Sequence, residues 1–466
     1  MEAFDNFWVT AVDWMWGPWL VYLLVGSGAF FTVASRFLPF TAIRHAIDIL
    51  RGKFDRPDDP GEISHFQALS SALSATIGMG NIAGVAIAIS LGGAGAIFWM
   101  WIAGLVGMST KFYTCTLATL YRKKDEQGID QGGPMYYLEV GLGRHFKPLA
   151  IMFAVCGMIG CLSLFQVNQL SILLHNDYGT HRLVVGLVCM VLVGIVILGG
   201  ITRVGKVTSR VVPTMFILYL VSTLFIIVSN FAVIPDVLLS IFRNAFGGEA
   251  VLGGGAGIAF TEVMRTGIKR AAFSNEAGVG TAPMAHGAAK TKEPIREGLI
   301  AMLGPFLDTN IVCTLTALVI LSSGVLSGQL QGDSEAVLVT LAAFTSAMGE
   351  IGRYTLTLII VLFSVSTMIS YSYYSLKCAK YLFGIRLGGK YVYVYLLSFP
   401  AAAWLGQATV VNIIDTCFAL MAIPTLLGAV LLSGRVTALL RDYLARTKAQ
   451  DPRFRQPSVN SLQRPD

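Results

Sequence analysis

Charge is scarce in this chain. Of its 466 residues only 13% are Asp, Glu, Lys or Arg, against about 25% in an ordinary soluble domain, and 55% are hydrophobic. A water-soluble surface of normal composition is excluded, and a polytopic membrane protein is indicated. The seven cysteines, at 115, 156, 161, 189, 313, 378 and 417, nearly all fall in apolar stretches and make no Cys-x-x-Cys pair. Neither a disulfide framework nor a thiolate metal site is expected. The six histidines are scattered. His-Glu-x-x-His and a phosphate loop are both missing, which removes the zinc-hydrolase and nucleotide readings. The N-terminus carries Glu2, Asp5 and Asp13 where a cleavable signal would carry Lys or Arg, so none is expected. The net charge of +7 has no basic module behind it. Lys and Arg sit between apolar runs, so the expected partner is the lipid bilayer and not nucleic acid.

Eleven stretches approach the roughly 20 residues that cross a bilayer: 17–37, 63–90, 95–120, 148–173, 183–200, 211–232, 255–287, 297–323, 353–384, 391–408 and 411–434. Alternate loops collect the basic residues. One set holds Arg36, Arg44, Arg51, Lys53 and Arg56, then Arg122, Lys123, Lys124, Arg144 and Lys147, and continues through Arg203, Lys290 and Lys377 to the C-terminal tail. The other set holds little beyond Arg182, Arg243 and Arg353. That bias places the N-terminus outside and the C-terminus in the cytoplasm, across a plasma membrane that is expected to be a bacterial inner membrane. The stretch 334–352, with Glu335 and Glu350, reads as an amphipathic segment along the outer surface. The polar, proline-containing tail from about 444 onward reads as disordered.

Two stretches resist a continuous helix. Ser74-Ala75-Thr76-Ile77-Gly78-Met79-Gly80-Asn81-Ile82-Ala83-Gly84 sets three glycines and an amide in an apolar span, each glycine costing about 1 kcal/mol relative to alanine. The second is Phe273-Ser274-Asn275-Glu276-Ala277-Gly278-Val279-Gly280, preceded by Glu262, Arg265 and Lys269 on one helical face. At membrane depth, unwound backbone is tolerated only inside protein or beside a water-filled cavity. The bland alternatives are close helix packing for the first stretch and an extramembrane loop for the second. The breaks lie in the second and seventh spans, five apart, and five is odd. They therefore enter the membrane from opposite sides, as an inverted-topology repeat requires, with substrate and ion between them near the midplane.

The same residues carry a family resemblance. Residues 74–85 followed by Leu91-Gly92-Gly93-Ala94-Gly95-Ala96-Ile97-Phe98-Trp99-Met100-Trp101, and Phe273 to Gly278 with Ala282-Pro283 and His286 behind them, resemble the alanine or glycine:cation symporter family. So do Gln131-Gly132-Gly133-Pro134-Met135-Tyr136-Tyr137, Asp308-Thr309, Ser372-Tyr373-Tyr374 and Leu420-Met421-Ala422-Ile423-Pro424. The likeness covers essentially the whole chain. It implies the amino acid-polyamine-organocation superfamily fold: all-α, 11 transmembrane helices, a leucine-transporter-type 5+5 inverted repeat with two broken helices, and one N-terminal extra helix. The implied organisation is an N-terminal helix and cytoplasmic loop at 1–61, repeats at 62–232 and 253–434, and a disordered cytoplasmic tail at 435–466. The implied activity is symport of a small neutral amino acid with a sodium ion, or alternatively with a proton.

A zwitterionic amino acid needs donors for its carboxylate and acceptors for its ammonium. Backbone N–H groups at Gly78, Met79 and Gly80 suit the first role, since glycine permits close approach. Ser274, Asn275 and Gly278 face them from the other break, with Gln166 and Asn168, which resemble a Gln-x-Asn pair of the family and read equally well as interhelical glue. Sodium prefers hard oxygen ligands. The resemblance places one ion among the carbonyls of Ser74 and Ile77 and the hydroxyls of Ser366 and Thr367, and a weaker second position near Thr76, Asn81 and Thr309. Hydroxyls in membrane helices also bond carbonyls of their own helix, which is the plain alternative. Of three carboxylates at membrane depth, each needing a partner, a cavity or a proton, Glu276 is the gating candidate and Asp308 the proton carrier if protons drive transport. Asp415 reads as solvated, and Lys111 as snorkelling to the interface.

The ninth span departs from the family pattern. Ser370-Tyr371-Ser372-Tyr373-Tyr374-Ser375-Leu376 stands where the family usually has Gly-Trp-Ser-Tyr-Tyr-Gly-Glu. Tyr371 as the pocket aromatic adds a hydroxyl, so serine or glutamine competes with alanine or glycine as substrate. An enzyme is not expected. The rivals are a channel, which has no need of two opposed broken helices, and an intramembrane hydrolase built on Ser109 and His286. Oligomeric state is left open, a monomer being sufficient.

Overall fold

The computed structural model describes residues 2–56, 58–246, 256–325 and 336–450. Among these the regular structure is helical, apart from a two-stranded antiparallel pair, Lys123–Lys124 with Asp130–Gln131, and a single bridge between Ile63 and Ala289. Gly95–Leu120, Arg144–Tyr178, Thr202–Ser229, Pro294–Ser322, Ala336–Trp404 and Gln407–Leu431 are long and apolar enough to cross a bilayer. Two bent pairs raise the six to as many as eight: Asn6–Met15 with Pro18–Ala34 at 45°, and His65–Thr76 with Gly80–Gly92 at 50°. The protein is an all-α polytopic membrane protein.

The helix Gly95–Leu120 is the packing centre. It contacts Pro18–Ala34, Val85–Gly92, Ala256–Asn275, Ala282–His286 and Pro294–Ala301, so both broken helices lean on one long apolar rod. The N-terminal region supplies two helices where one was expected. Glu2–Met15 packs against Gln407–Leu431, and Pro18–Ala34 lies on the central helix.

The 353–384 and 391–408 stretches stay separate: the long helical run Ala336–Trp404 is divided by non-helical geometry at Gly349 (φ 61) and Gly384 (φ 75), so the first stretch closes at Gly384 and the second lies in the segment beyond it, which ends at Trp404. Several sequence expectations are corrected here. Within 334–352, the part from Ala336 to Phe344 is mostly buried instead of lying on a surface, and Thr340 donates to the carbonyl of Ile82 at 3.3 Å. A hydroxyl facing the first broken helix gives that segment an inward polar face. The 148–173 stretch is interrupted at Cys161–Ser163, with Ser163 at φ 58. The tail is a helix over Ser433–Gln450, where Arg446 pairs with Asp442 at 2.9 Å and Glu293 at 2.7 Å, and 451–466 lie outside the described residues. An i,i+4 ion pair supports a helix that composition alone does not suggest.

Candidate functional site

The first break begins from a well-made helix. Ser64 Oγ accepts the N–H of Gln67 at 3.2 Å, and Gln67 Oε1 accepts the N–H of Ser64 at 3.0 Å, a reciprocal cap that starts His65–Thr76. At Ile77 the chain turns extended (φ −73, ψ 99), and helix resumes as a π-turn over Gly80–Gly84. Asn81 braces the gap. Its Oδ1 accepts the N–H of Gly78 at 2.8 Å, and its own N–H donates to the carbonyl of Gly78 at 3.1 Å. Gly80 is where the breaks touch, since a Cβ there would stand 3.3 Å from Ser274 Cα and 3.4 Å from the Phe273 ring.

The second broken helix runs Ala256–Asn275, unwinds through Glu276, Gly278 and Gly280 at φ 54, 90 and 100, and restarts at Ala282–His286. A left-handed residue with a side chain costs roughly 1–2 kcal/mol, and Glu276 is held there by its own carboxylate. That group accepts hydrogen bonds from Thr281 and from Tyr371. Asn275 Oδ1 meanwhile caps the N–H of Ala277 at 2.8 Å. At Gly280 a Cβ would meet Thr425 Oγ1 at 2.3 Å and the Phe153 ring at 2.7 Å on a backbone already at positive φ. Gly280→Ala is expected to eliminate the monodisperse, folded peak in fluorescence-detected size exclusion, and a normal peak would show that this turn is adaptable.

Asp308 joins the two breaks. It lies fully buried in the π-helix Phe306–Cys313. Its Oδ1 accepts from Asn81 Nδ2 at 2.8 Å, and its Oδ2 accepts from Ser274 Oγ and Thr309 Oγ1, each at 2.8 Å. Asn275 Nδ2 donates to Thr309 Oγ1 at 2.9 Å. Five of the residues singled out from sequence therefore converge on one cluster of hard oxygen atoms, the donor type a sodium ion takes.

A second pairing also forms. Thr367 Oγ1 donates to the carbonyl of Ser74 at 2.9 Å, and Ser74 Oγ donates to the carbonyl of Ser366 at 2.8 Å. The Ser366 hydroxyl itself donates to Phe363 O at 3.0 Å in its own helix, and Thr76 does likewise to Ala72 O at 3.1 Å. Those two hydroxyls follow the plain alternative. Met79 is buried. Gly278 is closed over by Leu24 and Leu426, its notional Cβ 2.9 Å from the first. Asn168 stands elsewhere, donating to Ala402 O at 3.2 Å and Leu405 O at 2.8 Å as interhelical glue. Gln166 is buried, and its Oε1 has no hydrogen-bond partner among the described residues.

Two buried charge clusters flank the breaks. Asp415, expected to be solvated, is fully buried and paired with Lys269 at 2.9 Å and with Arg270, while its backbone carbonyl accepts from Trp16 Nε1 at 2.9 Å. At the other end Glu297, fully buried, accepts from His65 Nδ1 and, at 2.5 Å, from His286 Nδ1. Lys111 does not snorkel. It is 2% exposed, beside Gly304, whose notional Cβ would lie 3.4 Å from Lys111 Nζ. The suggested Ser109 and His286 pair is not made, since Ser109 Oγ accepts from Thr32 at 2.8 Å and His286 Nδ1 is taken by Glu297.

Sequence reading missed His65, Glu297, Arg270 and Thr281. Arg270 carried the one usable signal, a fourth charge in an apolar span. A cavity of about 20 Å³ borders Asn275 and Ala277, room for about one water. A cavity of about 870 Å³ lies well away, between residues 34–48 and 437–447. The breaks are thus packed shut around their polar groups.

The sequence profile of the sodium:alanine symporter family matches residues 1–456. The chain is 40% identical over 438 residues to the sodium/alanine symporter AgcS of Methanococcus maripaludis, covering 92% of this chain and 95% of that protein. It is 38% identical over 439 residues, 92% of each chain, to the uncharacterized transporter YflA of Bacillus subtilis. With the probable sodium/glutamine symporter GlnT of Bacillus subtilis it shares 36% identity over 458 residues, covering 95% of this chain and 92% of that one.

Proposed function

The chain belongs to the sodium:alanine symporter family, and from that premise we propose that it carries a small neutral amino acid, alanine or glycine, into the cell together with sodium by alternating access. The observation that carries this reading is Asp308, whose carboxylate takes one hydrogen bond from each broken helix, Asn81 in the first and Ser274 in the second. A site built from both breaks is what two opposed broken helices exist to make. The proposed topology has eleven spans, the N-terminus outside, and repeats over 62–232 and 253–434.

In this reading sodium takes two positions. One uses the Ser74 and Ile77 carbonyls with Thr367 Oγ1. The other uses Asp308, Asn81 and Thr309, where Asp308 supplies the full negative charge. The substrate carboxylate goes to backbone N–H groups of Met79 and Gly80, since the N–H of Gly78 is already engaged by Asn81. Tyr371 closes the pocket through Glu276. Lys269, Arg270 and Asp415 close the outer side, and the cluster at Glu297 closes the inner side.

Serine or glutamine is the second reading for the substrate. It is favoured by the Tyr371 hydroxyl and by the sodium/glutamine name of one relative. The deciding experiment is uptake of a panel of radiolabelled amino acids into proteoliposomes under a sodium gradient, a proton gradient or neither. Sodium-driven alanine or glycine uptake is expected. Uptake driven by protons alone would move the coupling to Asp308 or Glu276, and no gradient-dependent uptake of any amino acid would end the symporter reading.

A further inference from the structure

The two broken helices are fastened together at one end by more than packing. Residues 60–63 lie alongside 288–291. Glu62 N–H donates to Ala288 O at 2.8 Å, Lys290 N–H to Ile63 O at 2.8 Å, and Thr291 N–H to Pro60 O at 2.9 Å. Gly61 permits the approach, because at φ 131 a Cβ would stand 2.4 Å from Ala289 O. Arg122 ties both strips, donating to Pro60 O at 3.3 Å and Ala289 O at 2.5 Å. Directly behind this strap, His65 opens the first broken helix, His286 closes the second, and Glu297 of Pro294–Ala301 holds both, one carboxylate oxygen to each.

An ionised carboxylate only accepts, so each imidazole must present Nδ1–H to it. With both rings neutral, the buried trio carries one net negative charge. A single proton taken on Nε2 neutralises it and turns one contact from a neutral donor on a carboxylate into a hydrogen-bonded ion pair. That proton has a route from water, since His65 Nε2 lies 3.8 Å from Oδ1 of the half-exposed Asp55. We propose that His65, Glu297 and His286 form a proton-binding site that locks the cytoplasmic ends of the two broken helices together. The proposal rests on the symporter reading for its direction, cytoplasmic protons slowing inward release.

Other charged groups face the trio. Asp55 approaches from the 51–63 loop, Arg296 from the same helix as Glu297, and Arg122 and Cys115 from the central helix and the turn beyond it. Lys377, from the long helical run, donates to Met284 O beside His286 at 3.1 Å. Asp48, on the helix Ile43–Leu50, is paired with Lys53 at 2.5 Å. Glu62, on the strap, is half-buried. Burial lifts its carboxyl above the ordinary range, with Lys377 opposing, so it is the rival titrating group.

The test uses right-side-out membrane vesicles, a fixed sodium gradient and radiolabelled alanine, with internal pH set between about 6 and about 8, where an imidazole titrates. Wild type is expected to slow at least about threefold at the acid end, with Glu62→Gln retaining that dependence and Glu297→Gln and His65→Asn losing it. Retention of the dependence in both of those variants, or its loss in Glu62→Gln alone, would overturn the proposal. Amide hydrogen exchange of peptide 65–76 in purified protein, corrected for intrinsic rate, reads the lock without transport. Stronger protection at acid pH in wild type and none in Glu297→Gln supports it, and pH-independent exchange in wild type refutes it. Absence of sodium-driven uptake would fell the symporter reading while leaving the exchange result to decide the lock.

Discussion

Asp415→Ala should cost about 3–5 kcal/mol of stability, because it leaves buried cations without their counter-charge. Arg270 is 3% exposed at its side chain and Lys269 19%, and both are aimed at the one Asp415 carboxylate. Lys269 also lies over the Trp16 ring at 5.9 Å, and Arg270 over Phe273 at 5.2 Å, so Arg270 does not reach water without dismantling an aromatic contact. The cluster is already short of partners: Arg270 Nη1 and Asp415 Oδ1 each lack a hydrogen bond among the described residues. An arrangement with two cations, one anion, an unmet donor and an unmet acceptor is held by little more than its own closure. That is the character a gate needs and a purely structural ion pair does not. The readout is the thermal midpoint in detergent, measured by size exclusion after heating. Adding Lys269→Met and Arg270→Met to Asp415→Ala should recover most of the loss, since removing all the charges of a buried cluster together is often neutral or stabilising. If the single variant melts like wild type, the cluster is hydrated in the folded protein and the gate reading of it fails.

Asp308→Asn is expected to raise the sodium concentration for half-maximal uptake at least about tenfold, roughly 1.4 kcal/mol of binding. Asparagine keeps the size of the side chain and one carbonyl oxygen. The hydroxyls of Ser274 and Thr309 can rotate to meet an amide in place of a carboxylate. The bridge between the breaks therefore survives in shape and loses only its charge. If that charge balances a bound cation, sodium affinity falls and apparent amino-acid affinity falls with it, by the reciprocity of linked binding. Two other outcomes have clear meanings. Unchanged sodium dependence with loss of proton-driven uptake would make Asp308 the proton carrier. Unchanged behaviour in both would leave it a structural bridge, held by Asn81, Ser274 and Thr309 for packing alone.

Much of the site was legible because unusual residues in an apolar span have few explanations. Glycine at 78 and 80 beside Asn81, and Ser274-Asn275-Glu276 ahead of Gly278, mark both breaks without any structure. Side-chain direction was not legible. Thr76 and Thr367 are equivalent in the sequence, yet one hydroxyl turns to its own helix and the other crosses to Ser74. Gln166 and Asn168 stand two residues apart, and Asn168 serves a distant helix end.

The sequence by itself determined the membrane class, the family and the two breaks. Each follows from local composition, since hydropathy, glycine content and motif spacing act over a few neighbouring residues. Only the tertiary structure decided which charges neutralise which. Asp415 meets Arg270 from 145 positions away, and His65 meets Glu297 from 232. A buried charge is tolerable only beside its partner, and packing brings the two together from distant parts of the chain.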